Sequence, residues 1–442
     1  MSAIAGILLE KGYSVSGSDL KESPITINLE EMGAIIFYTH KKDNVLDDVA
    51  EVVISSAIHE DNEELTEAKR RNLKITKRAE KMAQVMEDKK VICVAGAHGK
   101  TTTTAMLYCV MSAAGLDPSV IVGGILPNID SNYRLGKGDY FIAEADESDK
   151  SFLLFNPYTS IITNIEDDHM ENYGSLENII DAFEFFMAGN QDKKHMTLCI
   201  DNQNVKDLCY KFPEAITYSL ADQTADYYIT DCYYEGIGIC GELMKGIEKI
   251  GTIKLQIPGY HNLQNAVGVS ALALEKGIDF NDIAKAFSDF YGVNRRFQIL
   301  YKDKQRVIVD DYAHHPSELK ATLKASKEAN IGHVKVVFQP HRYSRTNQLL
   351  HSFAESFEFA DEVLLLPVYS AGETETYGVE TKDIYNLMPE NTKSKTKIFE
   401  DFESVVAHLE NNKKQNEMII TMGAGNVYEI AETLSNRVRG KK

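Results

Sequence analysis

Short apolar runs bounded by turn residues alternate, along most of the chain, with stretches whose apolar positions recur at helical spacing. In a first segment the runs 14–18, 34–38 and 51–55 predict strands, and 68–81 reads as a basic, polar helical stretch leading out of it. A second segment opens with a strand run at 91–95. It continues with a helical stretch at 102–114, strands at 139–145 and 160–164, and an apolar helical stretch at 266–274. A third alternates strand runs at 306–309, 335–339, 362–366 and 418–421 with amphipathic helices. Strands that take turns with helices predict an α/β architecture with mostly parallel sheets. At 442 residues the chain exceeds one ordinary domain. The pattern divides it into three, at 1–86, 87–293 and 294–442.

Composition narrows the class. Apolar residues at 43% and charged residues at 26% are an ordinary globular balance. No apolar run is long enough to span a bilayer. The first ten residues lack the basic lead and cleavage site of a signal peptide. Six cysteines, at 93, 109, 199, 209, 232 and 240, form no C-x-x-C pair and sit mostly in apolar stretches. They read as buried free thiols in a reducing cytoplasm, with no zinc site. The net charge of −19 would repel a polyanionic duplex, which argues against nucleic acid as a partner. If the substrates are anions, basic groups must then be concentrated locally.

The strongest local signal is Ala95-Gly96-Ala97-His98-Gly99-Lys100-Thr101-Thr102-Thr103, placed between a strand and a helix. That context suits a phosphate loop. Gly96 and Gly99 let backbone N–H groups wrap an oxyanion, with His98 between them. Lys100 brings a point charge to terminal phosphates, the Thr101 hydroxyl suits Mg²⁺, and the helix start at Thr102 adds its positive end. The spacing is shorter than that of the general phosphate-loop motif, and Gly-Lys-Thr alone is a common accident; the flanking strand and helix carry the assignment. Glu144-Ala145-Asp146-Glu147-Ser148-Asp149 and Glu166-Asp167-Asp168-His169 each follow a predicted strand. Ligands gather beyond the carboxyl ends of parallel strands, so Glu144 and His169 are expected near Lys100 and Thr101 as metal ligands. Asp149 and Asp167 read as solvated loop residues.

Asn262 and Asn265, three apart, share a helical face and could read a purine edge, although Asn near a helix start commonly serves as a cap. The third segment holds the basic groups that the net charge lacks: Arg295-Arg296-Phe297, Asp310-Asp311-Tyr312-Ala313-His314-His315-Pro316 and Gln339-Pro340-His341-Arg342-Tyr343-Ser344-Arg345-Thr346. Guanidinium forks bind carboxylate and phosphate in bidentate fashion. Asp310 or Asp311 could hold ribose hydroxyls. No Ser-His-Asp or Cys-His nucleophile stands out. A phosphate loop and a separate carboxylate-seeking cluster together predict phosphorylation of a carboxylate to an acyl phosphate, which an amine then attacks.

Taken in order, these motifs resemble the Mur ligase family over nearly the whole chain. The resemblance also rests on Met1-Ser2-Ala3-Ile4-Ala5, Val15-Ser16-Gly17-Ser18-Asp19, Ser55-Ser56-Ala57-Ile58, the loop from Gly96 to Thr103, Thr163 to Met170, His261 to Ala266, and Gly423-Ala424-Gly425-Asn426. It implies a truncated Rossmann-like first domain, a phosphate-loop ATPase domain and a Rossmann-like third domain. The implied activity is an ATP- and Mg²⁺-dependent ligase joining L-alanine to the lactyl carboxylate of UDP-N-acetylmuramate. Lys100 and Thr101 would bind phosphates and Mg²⁺, with Glu144 and His169 on the metal. Asn262, Asn265, Arg296 and Asp310 or Asp311 would hold adenosine. Tyr312, His314, His341, Arg342 and Arg345 would surround the alanine and the acyl phosphate, and Asp19 and Ser56 would contact the UDP-sugar. Closure of the second and third domains would assemble the site. The family normally begins with a strand and a Gly-rich turn ahead of the Met1-Ser2 segment; here the first helix starts at once, and the expectation is a true start upstream. Related ligases carry a carbamylated lysine, and none is assigned within 183–194.

Other functions fit parts of the pattern. By the same resemblance, the family's murein-tripeptide-recycling ligase is not expected to carry the run from Pro340 to Arg345, which implies addition of alanine instead. A folylpolyglutamate-synthase-like ligase and an ATP-switched assembly protein are further alternatives. A dinucleotide oxidoreductase would use Asp19, but no G-x-G-x-x-G precedes it.

Overall fold

The computed structural model describes residues 1–440 apart from Ser56, Asp168 and His169, and all described side chains except those of Met170 and Glu171. It divides into two compact units. The first holds Met1–Tyr227 with Gly268–Ile283, and the second Tyr228–Val267 with Ala284–Lys442. The strand Tyr227–Glu235 and the helix Tyr260–Glu275 therefore each begin in one unit and end in the other.

In the first unit, seven strands lie in the order Ile216–Tyr218, Thr197–Cys199, Thr159–Ile162, Lys90–Ala95, Tyr140–Ala145, Ser119–Leu126, Ser131–Arg134. All neighbours are parallel except the last pair. Lys90–Ala95 is central and apolar from its second residue on, as a strand covered on both faces must be. N-terminal to it lie two small parallel pairs, Ser16–Ser18 with Ile35–Phe37 and Glu51–Ile54 with Lys74–Lys77. Their helices share one core with the large sheet: Ile4, Ile7, Met82 and Met86 pack with Cys93, Phe141 and Phe183. Gly6 marks the closest approach, since a Cβ there would lie 2.0 Å from the Tyr133 hydroxyl.

The helical stretch expected at 68–81 is instead three elements: helix Glu63–Arg70, strand Lys74–Lys77 and helix Arg78–Met86. Asn72 at φ +54° ends the first helix in a left-handed turn. Ile75 and Thr76 are β-branched and pair with Val52 and Val53, which outweighs the helical preference of the lysines around them. The cysteines are all free, but only Cys93, Cys199 and Cys240 are buried. Among the described residues no helix is long and apolar enough to cross a membrane.

In the second unit, six strands lie in the order Gln298–Lys302, Arg306–Asp311, Glu417–Met422, His333–Phe338, Glu362–Leu365, Thr396–Ile398, parallel except for the first pair. The two-residue period of a strand sorts their side chains into two cores. Val307, Val309, Val336, Phe338 and Ile420 meet Leu319, Leu323 and Phe353 on one face. Ile308, Val337 and Ile419 meet Val405, Leu409 and Ile430 on the other. The antiparallel hairpin Gly238–Lys245 and Glu248–Lys254 also belongs to this unit.

One charged row runs through this sheet. Lys335 is fully buried. Its Nζ lies 2.8 Å from Glu417 and donates to the Asn412 carbonyl at 2.5 Å. Arg306 holds the other oxygen of Glu417 at 2.8 and 2.5 Å. Removing one member leaves a buried charge uncompensated. Lys335→Ala is expected to cost about 3–5 kcal/mol in urea unfolding; a loss under about 1 kcal/mol would contradict this role.

Candidate functional site

The central strand Lys90–Ala95 runs straight into the glycine loop, and the helix Lys100–Ala113 leaves it. Gly96 has φ +141°, and a Cβ there would fall 2.1 Å from the Thr163 hydroxyl. Gly99 is left-handed at φ +84° and stands at the helix N-cap with no side-chain cap. The end of the neighbouring strand braces this turn. The Ala97 and His98 amides donate to the Asn164 carbonyl and side-chain oxygen at 3.3 and 2.8 Å. The Thr163 hydroxyl and the Asn164 amide both donate to the His98 carbonyl, at 2.7 and 3.0 Å. His98 Nε2 lies 3.3 Å from Glu166.

On the other flank, strand pairing sets Glu144 opposite Val94. Glu144 thereby reaches the first helical turn. Its carboxylate accepts from the Thr101 hydroxyl at 3.2 Å and from the Gly123 amide at 2.5 Å. A Cβ on Gly123 would crowd both Glu144 and Thr101, so this glycine keeps the corner open. Lys100 bonds both oxygens of Glu147 at 2.9 Å. Burial alone would lower the Lys100 pKa; the Glu147, Asp146 and Glu144 carboxylates outweigh it and hold it above the ordinary lysine value. Lys100 is therefore a fixed positive charge at the mouth of an uncapped helix N-terminus, a combination that attracts phosphate.

The oxygen pair of Thr101 and Glu144 fits a hard cation that takes the rest of its shell from phosphate and water, as Mg²⁺ does. Among the described residues no group of three or more His, Cys, Asp and Glu side chains could hold a metal by itself. The expected metal ligand His169 and the expected sugar contact Ser56 lie outside the described residues. Asp19 is exposed at the end of strand Ser16–Ser18, where its carboxylate accepts from the Lys21 amide. Thr102 lies in the first turn of the helix after the loop.

A second set of groups sits at strand ends in the second unit. Asp310 and Asp311 end the strand Arg306–Asp311, and both are buried. Asp310 accepts from the Thr421 hydroxyl at 2.6 Å and from Arg295 at 3.1 Å. Asp311 accepts from the Ala313 and Phe297 amides at 2.8 and 3.2 Å. Burial pushes both carboxyls up, Asp311 to about 6. These aspartates thus organise the backbone of the Arg295-Arg296-Phe297 turn, where Arg295 and Phe297 hold φ of +61° and +51°. The Arg295 guanidinium lies between the Tyr312 and Tyr428 rings, at 4.9 and 4.7 Å. Arg296 lies 5.4 Å from the Tyr312 ring and 3.5 Å from Glu318.

The His314, His341 and Arg345 side chains meet directly. The two imidazoles are 6.3 Å apart, and Arg345 contacts His341 Nδ1 at 3.3 Å. His341 stacks on Tyr369 at 5.6 Å. Arg342 is strained at φ +70°, held by its amide on the Tyr369 carbonyl at 2.8 Å and by Thr346, whose hydroxyl donates to the Arg342 carbonyl at 2.7 Å. Asn262 and Asn265 are both buried at the start of the helix Tyr260–Glu275, and the Asn262 amide donates to the Pro258 carbonyl at 2.6 Å. The structure thus joins Lys100, Thr101 and Glu144 in the first unit, and Tyr312, His314, His341 and Arg345 in the second. Glu147, Gly123 and Asn164 were not singled out from sequence. Only the presence of Glu147 in the acidic run after a strand pointed toward it.

Burial first, then Arg345, His314 and Arg342, lower the His341 pKa from 6.5 to about 4. The unfolded chain takes up this proton near 6.5, the folded one only near 4. Between those values the unfolded state binds more protons, so the term removes stability as pH falls and levels off below about 4. His341→Gln lacks it. The stability of the parent relative to His341→Gln should decline as pH drops from neutral toward 4 in urea titrations; a pH-independent difference would contradict this environment.

Three family models cover the chain: the Mur ligase family catalytic domain at residues 1–90, the Mur ligase middle domain at 94–273 and the Mur ligase glutamate ligase domain at 295–425. The UDP-N-acetylmuramate–L-alanine ligase of Desulforamulus reducens is 40% identical, over 100% of this chain and 96% of that protein. That of Pelotomaculum thermopropionicum is 42% identical, over 99% and 95%. The crystal structure of the UDP-N-acetylmuramate-alanine ligase of Thermotoga maritima matches with a TM-score of 0.86 at 29% identity, covering 100% of this chain and 97% of that one. By models along nearly its whole length and by these full-length relatives, the chain belongs to the Mur ligase family.

Proposed function

We propose that this chain forms an amide between the lactyl carboxylate of UDP-N-acetylmuramate and L-alanine, using ATP and releasing ADP and phosphate, in cytoplasmic peptidoglycan precursor synthesis. The observation that carries this reading is the braced glycine loop with Lys100, and with Thr101 against Glu144. Full-length relatives that are UDP-N-acetylmuramate–L-alanine ligases favour alanine over the murein-tripeptide and folylpolyglutamate alternatives.

In this reading the carboxylate attacks the terminal phosphorus, an O–P bond forms, and the bond to ADP breaks. The amine then attacks the acyl carbon and phosphate leaves. Two anions must approach in the first step, so charge neutralisation dominates the barrier. Lys100 and the helix N-terminus supply part of it. Mg²⁺, held by Thr101, Glu144 and His169, would supply the rest as a Lewis acid. Asn262, Asn265, Arg296 and Asp310 or Asp311 are assigned to adenosine; the two aspartates would act largely by shaping the Arg295–Phe297 turn. Asp19 and Ser56 are assigned to the UDP-sugar, and Arg342 and Arg345 to the alanine carboxylate and acyl phosphate.

His314 is suited to take the proton that the alanine ammonium must lose. Burial lowers its pKa, with Glu318 acting against that shift and Arg345 adding to it. Its Nδ1 faces the Tyr312 carbonyl at 3.1 Å, which can only accept, so in the neutral ring Nε2 carries the lone pair. The same reading divides the chain at 1–86, 87–293 and 294–442; the matched models run over 1–90, 94–273 and 295–425.

Phosphate release by the full chain with ATP and Mg²⁺ tests it. Release should require UDP-N-acetylmuramate and L-alanine together; release without either, or with glutamate and folate in their place, would overturn the assignment. In the same assay Arg345→Ala should raise the KM for alanine about tenfold or more and leave that for ATP nearly unchanged. An unaltered KM and kcat for alanine would remove Arg345 from the site.

A further inference from the structure

Lys100 has three N–H bonds to give, and all are engaged within the protein. Its Nζ lies 2.9 Å from both Glu147 oxygens, 2.6 Å from the Gly96 carbonyl and 3.3 Å from the Ala97 carbonyl. The Glu147 side chain is 4% exposed. The loop that carries it is tied down. The Tyr173 hydroxyl and the Lys150 amide both donate to the Glu147 carbonyl, at 2.7 and 3.1 Å. The Asn172 side chain donates to the next carbonyl, of Ser148, at 2.7 Å, and the Lys150 ammonium lies 4.8 Å from the Tyr173 ring. The carboxylate's main chain therefore has little freedom to follow an ammonium that moves outward.

We infer that Glu147 is a positioning residue that competes with the nucleotide's terminal phosphates for the Lys100 ammonium, weakening nucleotide binding and easing release of the diphosphate product. This rests on the nucleotide assignment made above. A phosphate that reaches Lys100 must take an N–H from Glu147 or from a loop carbonyl. Glu147 then loses charge compensation in a buried place, beside the arriving anion. The penalty falls only on ligands whose phosphates extend to Lys100. Binding given up in this way avoids an over-stable complex with substrate and product alike, where tight ground-state binding adds nothing to turnover. The helix N-terminus draws the phosphates without such opposition, so affinity and release are set by different parts of one site.

Equilibrium titrations of the full-length parent, Glu147→Gln and Glu147→Asp with ADP and with AMP test this. Glu147→Gln keeps the shape and removes the charge; it should bind ADP about tenfold more tightly. AMP affinity should not change, which a general loosening of the loop would not reproduce. Glu147→Asp keeps the charge but shortens its reach, and should tighten ADP by less. ADP affinity that is equal or weaker in Glu147→Gln overturns the inference. Should that variant fail to fold, Glu147→Asp decides alone: ADP binding no tighter than the parent's overturns it. A parent chain that binds no ADP overturns the nucleotide assignment instead.

Discussion

A tight glycine turn has its own backbone groups to satisfy, and here the end of an adjacent strand satisfies several of them. Thr163 and Asn164 take up the Ala97 and His98 amides and the His98 carbonyl. Gly96 lets them come that close, since any side chain would occupy the place of the Thr163 hydroxyl. The conformation is thereby set before any anion arrives. Pre-organised donors spend no binding energy on ordering themselves.

Parallel pairing does the rest of the placement. With Lys90–Ala95 flanked by Tyr140–Ala145 and Thr159–Ile162, three strand ends open on the same side. One carries the loop, one Glu144 with Asp146 and Glu147, and one the brace. In the second unit the same logic puts Asp310, Asp311 and the residues after Phe338 at carboxyl ends of a sheet buried on both faces. Although the net charge is −19, Lys100 in the first unit and Arg342 and Arg345 in the second stand just beyond such ends. At Lys100 the surrounding carboxylates keep the cation charged despite burial.

Much of this was legible in the sequence because it is local. The loop, its strand and its helix lie in one short stretch, and continuous apolar runs marked three strands of the first sheet and four of the second. The strands Ser119–Leu126, Ser131–Arg134, Thr197–Cys199, Ile216–Tyr218, Gln298–Lys302 and Thr396–Ile398 were not singled out from sequence. Contacts that join distant segments were less so. Asn164 looks like any residue after a strand until its amide meets His98. Gly123 sits inside a strand, and only the fold brings Glu144 beside it. Lys335 carries no sign in its own neighbourhood that Glu417 and Asn412 will bury it. The 68–81 stretch misled because lysines favour a helix, whereas Ile75 and Thr76 found partners in Val52 and Val53. Asp310 and Asp311 stood out in the sequence as candidates, but their engagement by Thr421, Arg295 and backbone amides follows only from the folded turn.

In the proposed function the backbone shape of the glycine loop creates the anion site. Nucleotide affinity of Gly96→Ala, measured on chain whose circular dichroism matches the parent, tests that claim directly. The added methyl must displace Thr163 or distort the turn, so ADP binding should weaken about tenfold or more. Parent-like affinity in a folded Gly96→Ala chain would contradict it.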